Sequence, residues 1–135
     1  MIYLDSAAIV KLAHAEAESG ALRDWLEERA EVEWVSSVLA EVESFRALAR
    51  HAAPAVSRLP SVLDIIELVE LDAGIRLAAQ AVAPPSVRSL DAVHLATAVR
   101  LGPQLTSFVT YDRRLADAVV AAGLPLAMPA DPGPA

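Results

Sequence analysis

Residues 1–10 read MIYLDSAAIV, and the order of apolar run, acid and helix in that stretch decides which fold the rest must complete. Ile2, Tyr3 and Leu4 show no polar alternation, the pattern of a strand buried on both faces. Asp5 ends the run, and SAAIVKLAHA (6–15) follows at once with helical periodicity. A carboxylate at the carboxyl end of a doubly covered strand stands at the rim of a core.

The same alternation recurs downstream. Strand patterns fall at 2–5, 32–36, 65–71 and 107–111, with a weaker one at 124–128. Helical patterns fall at 6–15, 19–30, 37–52, 73–83, 90–101 and 113–123. Gly102 and Gly123 follow helices where a left-handed residue is wanted. Strands alternating with helices of this length imply right-handed crossovers and a parallel sheet covered on both faces. In such sheets ligands bind outside the carboxyl ends of the strands. Asp5 lies at one such end and Asp112, directly after SFVTY (107–111), at another.

Composition sets further bounds. A chain of 135 residues fits one domain, expected over 1–128 and followed by the Pro/Gly-rich tail PADPGPA at 129–135. The hydrophobic share is 55% but aromatics make up 4%, so the core must be built from aliphatic side chains. With no cysteine, disulfides, thiolate nucleophiles and cysteine zinc sites are all excluded. The N-terminal residues lack the basic and apolar regions of a signal peptide, and no apolar run is long enough to span a bilayer; a cytoplasmic protein without membrane contact is expected. None of the five glycines stands in a dinucleotide or P-loop arrangement. A net charge of −7 argues, at face value, against a nucleic-acid partner.

The helices select further acids. In SVLAEVESFRALAR (37–50), Glu41 and Glu43 point about 200° apart around the axis and cannot share a face. Glu43 falls with Arg46 and Arg50, which reads as a solvated stripe. Glu41 falls with Val38, Phe45 and Leu48, and an acid on an apolar stripe needs compensation. Glu41 is therefore the expected site residue of the pair. Asp91 shares a face with His94, Leu95 and Ala98 and sits in a first helical turn, with Ser89 available as its cap. His94 reads as a packed, hydrogen-bonded helix residue rather than a ligand. Asp5 and Asp112 each have a plain alternative role as helix caps. If Asp5, Glu41, Asp91 and Asp112 converge, they repel unless a cation neutralises them. An all-oxygen donor set without cysteine suits Mg²⁺ or Mn²⁺.

The ordered set MIYLDSAAIVKL, SSVLAEVESFRAL, SLDAVHLATA and TYDRRLADA, spread from Met1 to about Met128, resembles the PIN-domain ribonucleases, particularly the VapC toxins of VapBC toxin–antitoxin pairs. The resemblance implies a three-layer α/β/α sandwich with a central parallel sheet of four to five strands. It implies a metal-dependent endoribonuclease whose matching acids are Asp5, Glu41, Asp91 and Asp112, with Asp5, Asp91 and Asp112 toward Mg²⁺ or Mn²⁺. Ser6 and Thr110 match positions that support such a site, whereas Arg114 stands where some members carry a further acid. The implied partners are an RNA substrate such as tRNA or rRNA, a VapB-type antitoxin and a second copy in a homodimer. A housekeeping RNA-processing nuclease and a noncatalytic binding module are the alternative readings. The four acids account for more than half of the net charge, which softens the charge objection. Five of the eleven basic residues, Lys11, Arg46, Arg50, Arg113 and Arg114, lie near these acids in sequence and are the candidate RNA contacts.

Overall fold

The computed structural model describes residues 1–132, so the tail expected over 129–135 lies partly outside the described residues. Five strands, β1 (Ile2–Leu4), β2 (Trp34–Ser37), β3 (Ile66–Val69), β4 (Ser107–Val109) and β5 (Leu126–Ala127), form one sheet in the order β3-β2-β1-β4-β5. Every pairing is parallel. The helices are α1 (Ser6–Ala13), α2 (Ser19–Glu27), α3 (Val38–His51), α4 (Leu59–Leu63), α5 (Ala73–Gln80), α6 (Ser89–Leu101) and α7 (Arg113–Ala121). The result is the expected α/β/α sandwich with a central parallel sheet.

The two-residue period of β1 distributes its side chains between two cores. Ile2 and Leu4 join one with Ile9, Leu22, Leu26 and Leu48, contributed by α1, α2 and α3. Tyr3 joins the other, with Leu95, Phe108, Leu115 and Val119 from α6, β4 and α7. The Tyr3 and Phe108 rings stack at 4.7 Å between centroids, two of the few aromatic groups in an otherwise aliphatic interior. All three β1 residues are fully buried, as an uninterrupted apolar strand requires.

Chain order reverses direction at β1: the next two strands step to one side of it and the last two to the other. The crevice above the carboxyl ends of β1 and β4 is thus the switch point at which open parallel sheets take ligands. Asp5 and Asp112 are the residues that cap α1 and α7 there.

Residues 53–63, which carry no helical pattern in the sequence reading, form a 3₁₀ helix (Ala53–Arg58) and α4. Each has a proline in its first turn, where the missing N–H costs no hydrogen bond. Among the described residues no helix is long and apolar enough to cross a membrane.

Leu48 is fully buried while Leu77 on α5 is 69% exposed. Leu48→Ala is expected to cost about 2–5 kcal/mol and Leu77→Ala less than about 0.5 kcal/mol, as read by urea unfolding.

Candidate active site

A cleft of about 280 Å³ opens at this switch point, lined by Asp5, Glu43, Arg88, Asp91, His94 and Asp112 among others. Its four carboxylates come from the end of β1, from α3, from the first turn of α6 and from the residue that caps α7.

Asp5 is the most enclosed of them, 3% exposed. One carboxylate oxygen accepts the Ala8 N–H at 2.9 Å, so the residue caps α1 as well as facing the cleft. Burial pushes its pKa up to about 6, against the lowering effects of the Thr110 hydroxyl and the Ala8 amide. Thr110 is itself fully buried and its hydroxyl oxygen accepts the Asp112 N–H at 3.1 Å, tying the end of β4 to the start of α7. Asp112 accepts from the amides of Arg114 and Leu115. Ser6 lines the cleft beside Asp5. Asp91 is raised above the ordinary carboxylate range by burial first and by the Asp112 charge second. Ser89 is not its cap: the N-cap position belongs to Arg88, and no side chain caps α6.

The structure corrects the assignment on α3. Glu41 is exposed and lines a separate groove with Val42, Phe45, Arg46 and Leu63, sharing no residue with the cleft. Glu43 lines the cleft instead. The apolar residues beside Glu41 are misleading, because Val42 and Phe45 are 56% and 51% exposed. The face of α3 that enters the core is made of Ala40, Ser44 and Leu48, of which the small Ala40 and Ser44 let the helix pack closely. Ser44 donates back to the Ala40 carbonyl at 2.6 Å, removing its own polarity from the interior. Glu43 flanks that face on the side of the cleft.

Glu43 is fixed by a partner 51 residues away in sequence. His94 Nε2 lies 2.6 Å from Glu43 Oε1, and His94 Nδ1 lies 2.6 Å from the Tyr3 hydroxyl. His94 is thus a hydrogen-bonded helix residue, as expected, with both ring nitrogens engaged. Neither nitrogen is left to ligate a metal.

The donor chemistry suits a hard divalent cation: four carboxylates, no thiol and no free imidazole. Among the described residues no group of three or more histidine, aspartate or glutamate side chains is placed to hold a metal ion; the four carboxylates line one cleft without forming a ligand set.

The candidate RNA contacts separate. Lys11 is withdrawn, its side chain 11% exposed and paired with Glu18 at 2.9 Å and Glu16 at 3.7 Å, with its ammonium over the Tyr111 ring. Arg46 lines the groove of Glu41, and Arg50 is exposed near the end of α3. Arg113 and Arg114 are exposed at the start of α7. Arg114 lines a groove that shares Arg88 and Asp91 with the cleft. Arg88, absent from the sequence-based set, follows a Pro-rich loop whose position the local pattern does not reveal.

A family model described as the PIN domain matches residues 2–120. The chain belongs to the PIN-domain family. Among PIN proteins it is 47% identical over 131 residues to ribonuclease VapC35 of Mycobacterium tuberculosis, covering 96% of this chain and 97% of that one. It is 43% identical over 128 residues to ribonuclease VapC46 of the same species, covering 95% and 97%. In fold, this PIN domain superposes on the crystal structure of M. tuberculosis VapC20, described as a sarcin-ricin loop cleaving toxin, with a TM-score of 0.74 at 18% identity over 96% of this chain and all of that one. The VapBC2 structure of Rickettsia felis, bound to a promoter DNA fragment, gives a TM-score of 0.71 at 15% identity, covering 95% and 98%.

Because the Asp5 pKa is raised in the folded state, its carboxyl favours folding below its ordinary pKa and loses that contribution as pH rises through about 6. Asp5→Asn keeps an oxygen for the Ala8 amide and removes the charge. The metal-free variant is therefore expected to be more stable than wild type at pH 7.5 by about 2–3 kcal/mol, the gap closing toward pH 4, as measured by denaturant unfolding across that range.

Proposed function

We propose that this cleft hydrolyses RNA phosphodiester bonds, and that the chain is the endoribonuclease toxin of a VapBC pair. The observation that carries the reading is the convergence of Asp5, Glu43, Asp91 and Asp112 on one cleft at the sheet's switch point. The VapC ribonucleases at 47% and 43% identity support it.

Asp5, Asp91 and Asp112 are the residues that would hold Mg²⁺ or Mn²⁺, the first two already carrying pKa values raised by burial and mutual charge. The ion supplies positive charge against the scissile phosphate and the acidity that a water needs to attack it. Glu43, with Oε1 held by His94, orients that water and takes its proton. Attack in line with the leaving 3′-oxygen yields a 5′-phosphate and a 3′-hydroxyl, as the family resemblance implies. Arg88 and Arg114, on the groove that continues from Asp91, receive the flanking phosphates. Thr110 keeps the rim in place through the Asp112 amide, and Ser6 lines it. The work of this chain's own residues is thus orientation and proton transfer at Glu43, and phosphate positioning at the arginines.

A VapB-type antitoxin, a homodimer and a cytoplasmic setting complete the reading. The antitoxin's basic side chains would meet an acidic cleft in a protein of net charge −7, so charge complementarity favours the pair.

Glu43→Gln is expected to lower the rate of RNA cleavage by about 10²–10⁴-fold, whereas Glu41→Gln leaves it within about twofold; the reverse pattern would place the functional acid on the other side of α3. EDTA is expected to abolish cleavage and added Mn²⁺ or Mg²⁺ to restore it, in a gel assay of RNA fragments. Activity that persists in chelator would overturn the metal-dependent reading.

A further inference from the structure

We infer that His94, locked as its Nε2–H tautomer by the Tyr3 hydroxyl, is a positioning residue that aims the Glu43 carboxylate into the cleft. This rests on the nuclease reading for its effect on rate, but the arrangement itself stands on geometry.

Three elements meet in the chain of contacts. Tyr3 comes from central strand β1, His94 from α6 on one side of the sheet, and Glu43 from α3 on the other. Tyr3 is fully buried and stacked on Phe108, and burial holds its phenol well above the ordinary value. It is therefore protonated, and its hydroxyl lies 2.6 Å from His94 Nδ1. A phenol that donates to Nδ1 makes that nitrogen the acceptor. The ring proton then sits on Nε2 and is donated to Glu43 Oε1 at 2.6 Å.

The opposite tautomer is costly at Glu43, where it would set a ring lone pair against a carboxylate oxygen at 2.6 Å, in a site where His94 is 1% exposed and water cannot substitute. The imidazole edge meets the Tyr3 ring at 82°, so the ring plane is held as well as the proton. A glutamate side chain has several rotatable bonds, and anchoring Oε1 removes most of that freedom before substrate arrives. Supporting hydrogen bonds of this kind typically carry 10–100-fold in activity.

The experiment uses the full chain, with three variants: Tyr3→Phe and His94→Leu remove different links and His94→Gln restores one. Tyr3→Phe keeps the ring stack and deletes only the hydroxyl; His94→Gln keeps an N–H donor near the Nε2 position, and His94→Leu keeps none. ¹⁵N-histidine NMR is expected to show the Nε2–H tautomer at His94 in the wild type and a mixture of tautomers in Tyr3→Phe. In cleavage of a randomised RNA hairpin library with Mn²⁺, kcat is expected to fall about 10-fold or more in Tyr3→Phe and His94→Leu. KM should change by less than about twofold, and His94→Gln should recover much of the loss. An Nδ1–H tautomer in the wild type overturns the inference. So does an unreduced kcat in both variants, or a loss equal in His94→Gln and His94→Leu that follows their thermal stability. A wild-type protein that cleaves no RNA overturns the nuclease reading instead, and the tautomer still decides how Glu43 is held.

Discussion

A carboxylate deprived of water at the end of the central strand is the constraint around which this molecule is organised. Asp5 must be where it is because β1 is covered on both faces, and the strand can only end at the crevice between β1 and β4. One oxygen is occupied by capping α1, which fixes the side chain and orients the helix together. Burial then lifts the carboxyl to about 6, and Glu43, Asp91 and Asp112 line the same small cleft. Carboxylates that line one cleft repel each other. Under the metal-dependent activity proposed above, that unfavourable term would become affinity for a hard cation, which would relieve repulsion and desolvation at once.

The strand's two-residue period makes a second use of the same element. Tyr3 and Asp5 are two positions apart on an extended backbone and so project to the same side. Tyr3 reaches His94 within the core, and Asp5 reaches the cleft beyond it. His94 then bridges past the end of the sheet to Glu43 on the opposite layer. The acid site and the packing of the two helical layers are thereby joined through one buried imidazole.

Most of the architecture was legible in the residue pattern, because burial on two faces, helical periodicity and glycine stops are local signals. Four of the five strands lie within the predicted segments, trimmed where polar or exposed residues intrude, as in Ile66–Val69 within 65–71, and β2 runs one residue past its predicted end to Ser37. The prolines Pro54 and Pro60 concealed a 3₁₀ helix and α4, since proline in a first turn looks the same in sequence as proline that ends a helix. That Asp5, Asp91 and Asp112 line one cleft is legible because each sits at the junction of an element. The choice on α3 is not: apolar neighbours suggest burial, but Val42 and Phe45 face out and the core side is Ala40, Ser44 and Leu48. The pairing of Glu43 with His94 is nonlocal, so no helical wheel contains it. The small residues Ala40 and Ser44 were the one available signal, marking the face that packs closely. The ion pairs of Lys11 were hidden for a related reason: Glu16 and Glu18, in the loop after its own helix, fold back onto it.

The central claim is that Glu43, and not Glu41, joins Asp5, Asp91 and Asp112 around a divalent ion. Anomalous diffraction from crystals soaked in Mn²⁺ tests it most directly. The account predicts a manganese peak in the switch-point cleft beside Asp5 and Asp91, with the Glu43 carboxylate facing it across water and still bonded to His94. A peak beside Glu41, or a cleft that stays empty of manganese at saturating concentration, would contradict it.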